Sequence, residues 1–194
     1  MKNRMNTYTI TKSDLNENNE YIGKTDLANY DGHIESECNL GWIRIKSVCA
    51  KGHIFIKAGS GIKAGSGIEA GSGIKAGWGI EAGEGISAGW GISAGWGISA
   101  GEGISAGEGI SAGLSISCKW ISSKLRIFAG LVIWKNPKPQ EMQIVCEELR
   151  EGDVCFGELV ITKQEQPKTV TIFCEGKDVE ISRESAIALG LIEQ

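Results

Sequence analysis

A single-chain triangular parallel β-helix, mainly β and carrying a small C-terminal α+β appendage, is the fold that the sequence predicts. Two observations predict it. Eleven isoleucines recur every six residues from Ile56 to Ile116, inside the repeat Ile-x-Ala-Gly-x-Gly. Within each repeat Ile and Ala lie two apart, so in an extended strand both point to one face, while the residue between them varies through Lys, Glu and Ser and points outward. Such a unit buries its apolar face only by stacking on copies of itself. The glycine load excludes a helix, and the alternating glycine spacings of two and four exclude a collagen-like bundle, which needs glycine at every third position.

The elements follow in chain order. Residues 1–26 are polar and weakly periodic, and read as a loosely held lead-in ordered only around Tyr8 and Ile10. From 27 to 134 the chain reads as solenoid. Its first turns are irregular (Ile34, Leu40, Trp42-Ile43-Arg44-Ile45, Ile54-Phe55-Ile56) and cap one end with larger residues. Regular repeats occupy 56–118, with Cys118 taking the Ala position one repeat after Ala112. Gly-x-Gly makes each corner, because glycine accepts either positive φ or backbone crowding. Three six-residue edges give a coil of about eighteen residues, stacked at roughly 4.8 Å. Residues 120–134 keep β character without the glycines and read as the closing coil, with Trp120, Phe128 and Trp134 covering the end. A stiff Pro-containing linker at 135–140 then leads to an α+β unit over 141–194, with strands at 142–147, 153–162, 169–174 and 178–181. Glu175-Gly176-Lys177 makes the last turn between strands. Ser182 caps a short helix through Leu189, ended by Gly190.

The middle residue of Gly-x-Gly includes Glu84, Glu102 and Glu108, and a narrow Ile/Ala core cannot bury unpaired carboxylates at several kcal/mol each. This column therefore faces solvent or a partner. Folding it on three edges separates Ser60, Trp78, Trp96 and Leu114 from Ser66, Glu84, Glu102 and Trp120, and both from Ser72, Trp90 and Glu108. Trp78, Trp90 and Trp96 either cover the bare glycine backbone or anchor a partner. With Glu84, Glu102 and Glu108 they form the candidate partner-binding set. Stacked like charges, Glu84 beside Glu102 and Lys57 beside Lys75, carry a small cost in water.

Charge and composition narrow the function classes. Residues 34–134 carry nine Lys/Arg against seven Asp/Glu, and 135–194 carry seven against twelve, with no basic run to follow a phosphate backbone, so no direct nucleic-acid partner is expected. No apolar run reaches the roughly 20 residues that span a bilayer. No secretory leader is recognisable, and cytoplasmic residence is expected. The six cysteines lack any C-x-x-C pair and read mostly as buried thiols, without zinc-ligand spacing. His33 and His53, each between Gly and Ile, read as a repeated structural unit. No catalytic constellation, cofactor site or metal site is expected.

The segments Ala50-Lys-Gly-His-Ile-Phe-Ile56 and Ile181-Ser-Arg-Glu-Ser-Ala186 through Gly190 resemble glycine-rich hexapeptide-repeat β-solenoid proteins of Firmicutes and their phages. The six-residue period is also similar to that of hexapeptide acyltransferases, although there the small residue precedes the aliphatic by two and here Ala follows Ile by two. The histidine base and protruding loop of those enzymes are not recognisable, so their activity is not carried over. The all-β rod is similar in outline to bactofilins. The outward Trp/Glu edges point to a non-catalytic protein-binding solenoid, in its most concrete form a phage or mobile-element inhibitor occluding a host nucleic-acid enzyme such as a defence nuclease. Pentapeptide-repeat gyrase inhibitors offer an analogy, but the repeat region here is not acidic, which favours Trp contacts over DNA mimicry. A self-assembling, homo-oligomeric solenoid is the alternative, and an acyltransferase-like enzyme the third reading.

Overall fold

The computed structural model describes residues 5–162, 169–174 and 177–191. It divides into two compact units, Met1–Thr162 and Lys163–Gln194. The first is the predicted parallel β-solenoid. Face one stacks Val48–Ala50, Ile68–Ala70, Ile86–Ala88, Gly103–Ala106 and the first half of Trp120–Phe128. Face two stacks Asn6–Ile10, Gly32–Ser36, Ile54–Ile56, Ile74–Ala76, Ile92–Ala94, Ile110–Ala112 and the second half of Trp120–Phe128. Face three has seven parallel strands, from Gly41–Ile45 through Ser60–Ala64, Ile80–Ala82, Ile98–Ala100, Ile116–Ser117 and Gln143–Cys146 to Glu158–Ile161.

Alternation explains the core. In every regular strand the Ile and Ala side chains are buried and the residue between them is not, so the interior is a stack of isoleucines flanked by methyl groups. Burying each Ile contributes about 1.5–3 kcal/mol. Peptide groups bond from coil to coil even at the corners, as in Trp78 N–H to Ser60 O (2.8 Å) and Trp96 N–H to Trp78 O (3.2 Å). The outward residues of successive coils are therefore locked in line.

The corner glycines act through crowding. None of the glycines in the repeats from Gly61 to Gly113 adopts positive φ. A Cβ on Gly89, the first glycine of its corner, would sit well inside contact distance of the Gly71 carbonyl oxygen in the neighbouring coil, and Gly83, Gly95, Gly101, Gly107 and Gly113 meet the same obstacle. A Cβ on Gly91, the second glycine, would meet Gly109 O at 3.2 Å, a tight but adjustable contact.

The regular register starts one strand later than the period suggests. Ile54 pairs with Ile74 and Ile56 with Ala76, so Ile56 holds an Ala position and the six-residue step to Ile62 does not reflect equivalent sites. The two extra residues form a turn at Lys57–Ser60 (Ser60 N–H to Lys57 O, 3.2 Å), in which Gly59 supplies a φ of 73°. Lys57 consequently does not lie beside Lys75. It pairs with Glu35 at 3.1 Å, while the Lys75 ammonium stands 5.5 Å from the Phe55 ring centroid.

Both ends of the solenoid extend beyond the sequence boundaries. The lead-in is not loose: Asn6–Ile10 pairs in parallel with Gly32–Ser36, Ile10, Leu15 and Leu27 are buried, and Tyr8, Tyr21 and Tyr30 pack on the same core. At the other end, 135–140 belongs to a detour at 129–142 that leaves face two and returns to face three. Gln143–Cys146 and Glu158–Ile161 then continue face three, and Glu148–Phe156 pairs with Trp120–Phe128. The appendage boundary thus moves from 141 to about 163. Repeat glycines are missing from this coil, and its solenoid character lies only in the alternation around Ile144, Cys146, Leu159 and Ile161.

The second unit, described by itself, pairs Thr169–Cys174 antiparallel with Lys177–Ser182 and continues into the helix Arg183–Ala188. The Ser182 hydroxyl accepts from Ser185 N–H at 3.1 Å, and Gly190 follows with a φ of 66°. The expected turn residues Glu175 and Gly176 lie outside the described residues. No helix among the described residues is long and apolar enough to cross a membrane.

The crowding argument separates two glycines of one corner. Gly89→Ala should lower stability by at least about 2 kcal/mol and Gly91→Ala by less than about 1 kcal/mol, compared by urea unfolding followed by circular dichroism.

Candidate functional site

The six sequence-predicted residues fall on three different edges and do not form one surface. Trp78 and Trp96 lie between faces two and three, Glu84 and Glu102 between three and one, and Trp90 and Glu108 between one and two, as the inter-coil bonds between corner residues show. Each edge has a different chemistry.

The Trp78/Trp96 edge is an aromatic cluster. The two rings stack in parallel, with centroids 4.9 Å apart and planes 6° from each other. Trp42, on the strand Gly41–Ile45, meets them edge-on at 6.4 and 6.5 Å. Its ring lies over Gly61 and Gly79, where a Cβ on Gly79 would come within 2.8 Å of the indole, so Trp42 covers the first part of the glycine strip of face three. From the 129–142 detour Trp134 joins the group, 6.5 Å from Trp96. Trp134 does not cover the solenoid end: it is 60% exposed, and the adjacent Ile133 is 98% and Leu131 43% exposed. Leu131, Ile133 and Trp134 line a groove of about 360 Å³ with Trp96 and the corner glycines Gly77, Gly95 and Gly113. The sequence reading missed this ridge, whose signal is the apolar run Leu131-Val132-Ile133-Trp134, four residues without the inward–outward alternation of a solenoid strand.

The Glu84/Glu102 edge is neutralised at one end. One residue is missing from the coil after Ile104, so Trp120 pairs with Gly103 and Lys119, not Trp120, follows Glu102 in the column. The Lys119 ammonium lies 2.6 Å from a Glu102 carboxylate oxygen, and this carboxylate holds the Lys119 pKa above its ordinary value. Trp120 lies over Gly103 of face one, with the Arg150 guanidinium 4.0 Å from its ring centroid.

The Trp90/Glu108 edge borders the glycine strip of face two. No indole lies over Gly73, Gly91 or Gly109, for which the atoms nearest an added Cβ are backbone carbonyl oxygens. The result is an open groove of about 660 Å³ beside Trp90, which is 60% exposed. His33 and His53 close one end with stacked rings, 4.1 Å between centroids. His53 N–H donates to His33 Nδ1 at 3.0 Å, and His53 Nε2 lies 3.4 Å from Glu35, whose carboxyl is held below its ordinary pKa mainly by hydrogen bonding to Lys57 and then by His53. These contacts fit the structural-unit reading of the histidines.

The thiols are less uniformly buried than the sequence suggests. Cys38 and Cys155 are exposed, Cys49 and Cys118 half-buried and Cys146 buried. Cys118, whose N–H bonds to Val145 O at 3.0 Å, keeps its expected inward position against the core. Burial pushes its thiol up to about 12, with proximity to Cys146 adding to the effect. Burial also raises Cys146.

Comparison of the chain with protein-family models, with curated proteins and with solved structures gives no match.

The buried thiols set an alkaline limit. The folded chain holds these protons above the ordinary thiol pKa of about 8.5, so their contribution to stability is complete below that value and is lost as pH rises through about 12 for Cys118. At about pH 8, Cys38 and Cys155 should react promptly with a thiol-specific chromogenic disulfide, while Cys118 and Cys146 should react only on unfolding. Mass mapping of the labelled sites checks this, and prompt labelling of Cys118 would contradict its placement.

Proposed function

We propose that this chain is a non-catalytic protein-binding solenoid that docks through the Trp78/Trp96 edge, enlarged by Leu131, Ile133 and Trp134. The observation that carries this reading is Ile133, 98% exposed beside a 60% exposed tryptophan that continues a stacked aromatic cluster. An apolar ridge on a rigid scaffold is the kind of surface from which protein interfaces take their anchors. The parallel stacking of Trp78 on Trp96 and the edge-on packing of Trp42 give these rings a supporting role, so the outer contact passes to Ile133 and Trp134. Glu84, Glu102, Trp90 and Glu108 lie on other edges and stand outside this surface. In its most specific form, a phage or mobile-element inhibitor of a host nucleic-acid enzyme such as a defence nuclease, the ridge would act by occlusion. Its apolar character favours that over imitation of a phosphate ladder.

Self-assembly is the second reading, supported by the last coil. Leu159 and Ile161 hold the register of the interior residues Ile144 and Cys146 yet are exposed, on a strand at the edge of its sheet.

Partner capture from bacterial lysate by wild-type protein and by an Ile133→Glu/Trp134→Ala variant discriminates the two. Docking through the ridge predicts a partner whose affinity falls at least about tenfold in the variant, with an unchanged circular dichroism spectrum. Capture that survives the double substitution would refute docking there, and concentration-dependent oligomers without capture would favour self-assembly.

A further inference from the structure

A second groove lies on another face from the ridge, and its chemistry is different. Trp42 covers Gly61 and Gly79 on face three, and Trp120 covers Gly103 on face one. The strip of face two is left open beside Trp90. We propose that this groove binds an uncharged oligosaccharide chain, with Trp90 as the stacking platform.

Shape comes first. Phe55, Lys75, Ser93, Ser111 and Phe128 follow one another in register across consecutive coils and form one wall of the groove. At about 4.8 Å per coil the wall is roughly 19 Å long, enough for several sugar rings in line. The floor along the glycines lacks side chains, so a ring approaches the backbone closely.

Chemistry comes second. The C–H face of a pyranose is weakly positive and packs against the negative face of an exposed indole. The hydroxyls on its rim need alternating donors and acceptors, which Ser93, Ser111, Lys75 and Glu108 provide along both sides. No buried charge has to be neutralised by the ligand.

Charge matching selects among the chains that stack on aromatics. Lys75 and Glu108 contribute one charge of each sign to the groove, and Glu35 beside its end is already engaged by Lys57 and His53. Single-stranded nucleic acid requires a positive groove to follow its phosphates, which is absent here. An extended peptide gains its affinity by adding to a free strand edge. The backbone beneath this groove is already bonded between coils, with Ile54 N–H to Gly73 O, Ile74 N–H to Gly91 O and Ile92 N–H to Gly109 O all at 3.0 Å. A neutral polyhydroxylated chain needs neither phosphate partners nor a free edge.

Affinity electrophoresis of the full chain tests this, with gels containing hydroxyethylcellulose, xylan, dextran or soluble starch, alongside a titration with oligothymidylate. Retardation is expected in at least one neutral glycan. Trp90→Ala should weaken it about tenfold, Trp90→Phe should weaken it less, and Ile133→Glu should leave it unchanged. Because Trp90 is an exposed corner residue, its replacement should preserve the circular dichroism spectrum. No retardation in any of the four glycans, retardation that Trp90→Ala leaves intact, or stronger binding to oligothymidylate would each overturn the proposal. The ridge on the other edge is tested separately through Ile133, so failure of either site leaves the other standing.

Discussion

Consecutive coils approach so closely at the corners that one methyl group does not fit between them. This constraint, visible at Gly89 against the Gly71 carbonyl and repeated along the stack, shapes the rest of the solenoid. It limits most repeat strands to three residues and brings corner amides within hydrogen-bonding reach of the next coil, while the second glycine of each corner leaves a strip of bare backbone down each face. A strip without side chains is a groove. Large aromatic residues fill such grooves by lying flat, as Trp42 does over Gly61 and Gly79 and Trp120 over Gly103. The outer chemistry of the molecule follows from which strips are filled and which are open.

Much of the fold is legible in the sequence because each decisive signal is repeated. The inward Ile/Ala pair, the outward residue between them and the three corner columns from Ser60 to Leu114 all take the predicted places, since one register error would expose a whole column of isoleucines. Legibility fails where the repeat changes length. Ile56 keeps the six-residue spacing but occupies an Ala position, because the Lys57–Ser60 turn adds two residues. One residue is lost before Trp120, which puts Lys119 above Glu102 and relieves the carboxylate column. Beyond Trp134 the glycines are gone, and short alternating strands there are indistinguishable by pattern from those of a separate domain.

The candidate site was legible only in part, for a related reason. Periodicity assigns Trp78, Trp90 and Trp96 to edges correctly but gives no view of what the irregular segments bring beside them. Trp42 comes from an early coil and Trp134 from a detour of fourteen residues, 129–142. They turn one pair of tryptophans into a cluster with an exposed apolar ridge. Trp90 receives no such neighbour and keeps an open groove. Residues that look equivalent in the repeat thus acquire different roles from the non-repetitive chain around them.

All of these assignments depend on the register that aligns the outward residues. Strands on one face are eighteen residues apart in the regular block, as in Lys75 beside Ser93 and Ser93 beside Ser111, and twenty apart at Phe55 beside Lys75. Nuclear Overhauser contacts between backbone protons of neighbouring coils read this directly. The structure predicts contacts from Ser93 to Lys75 and to Ser111, and from Lys75 to Phe55. Contacts from Lys75 to Lys57 instead, as an unbroken six-residue period from Ile56 requires, would contradict the register and remove the aligned wall of the open groove.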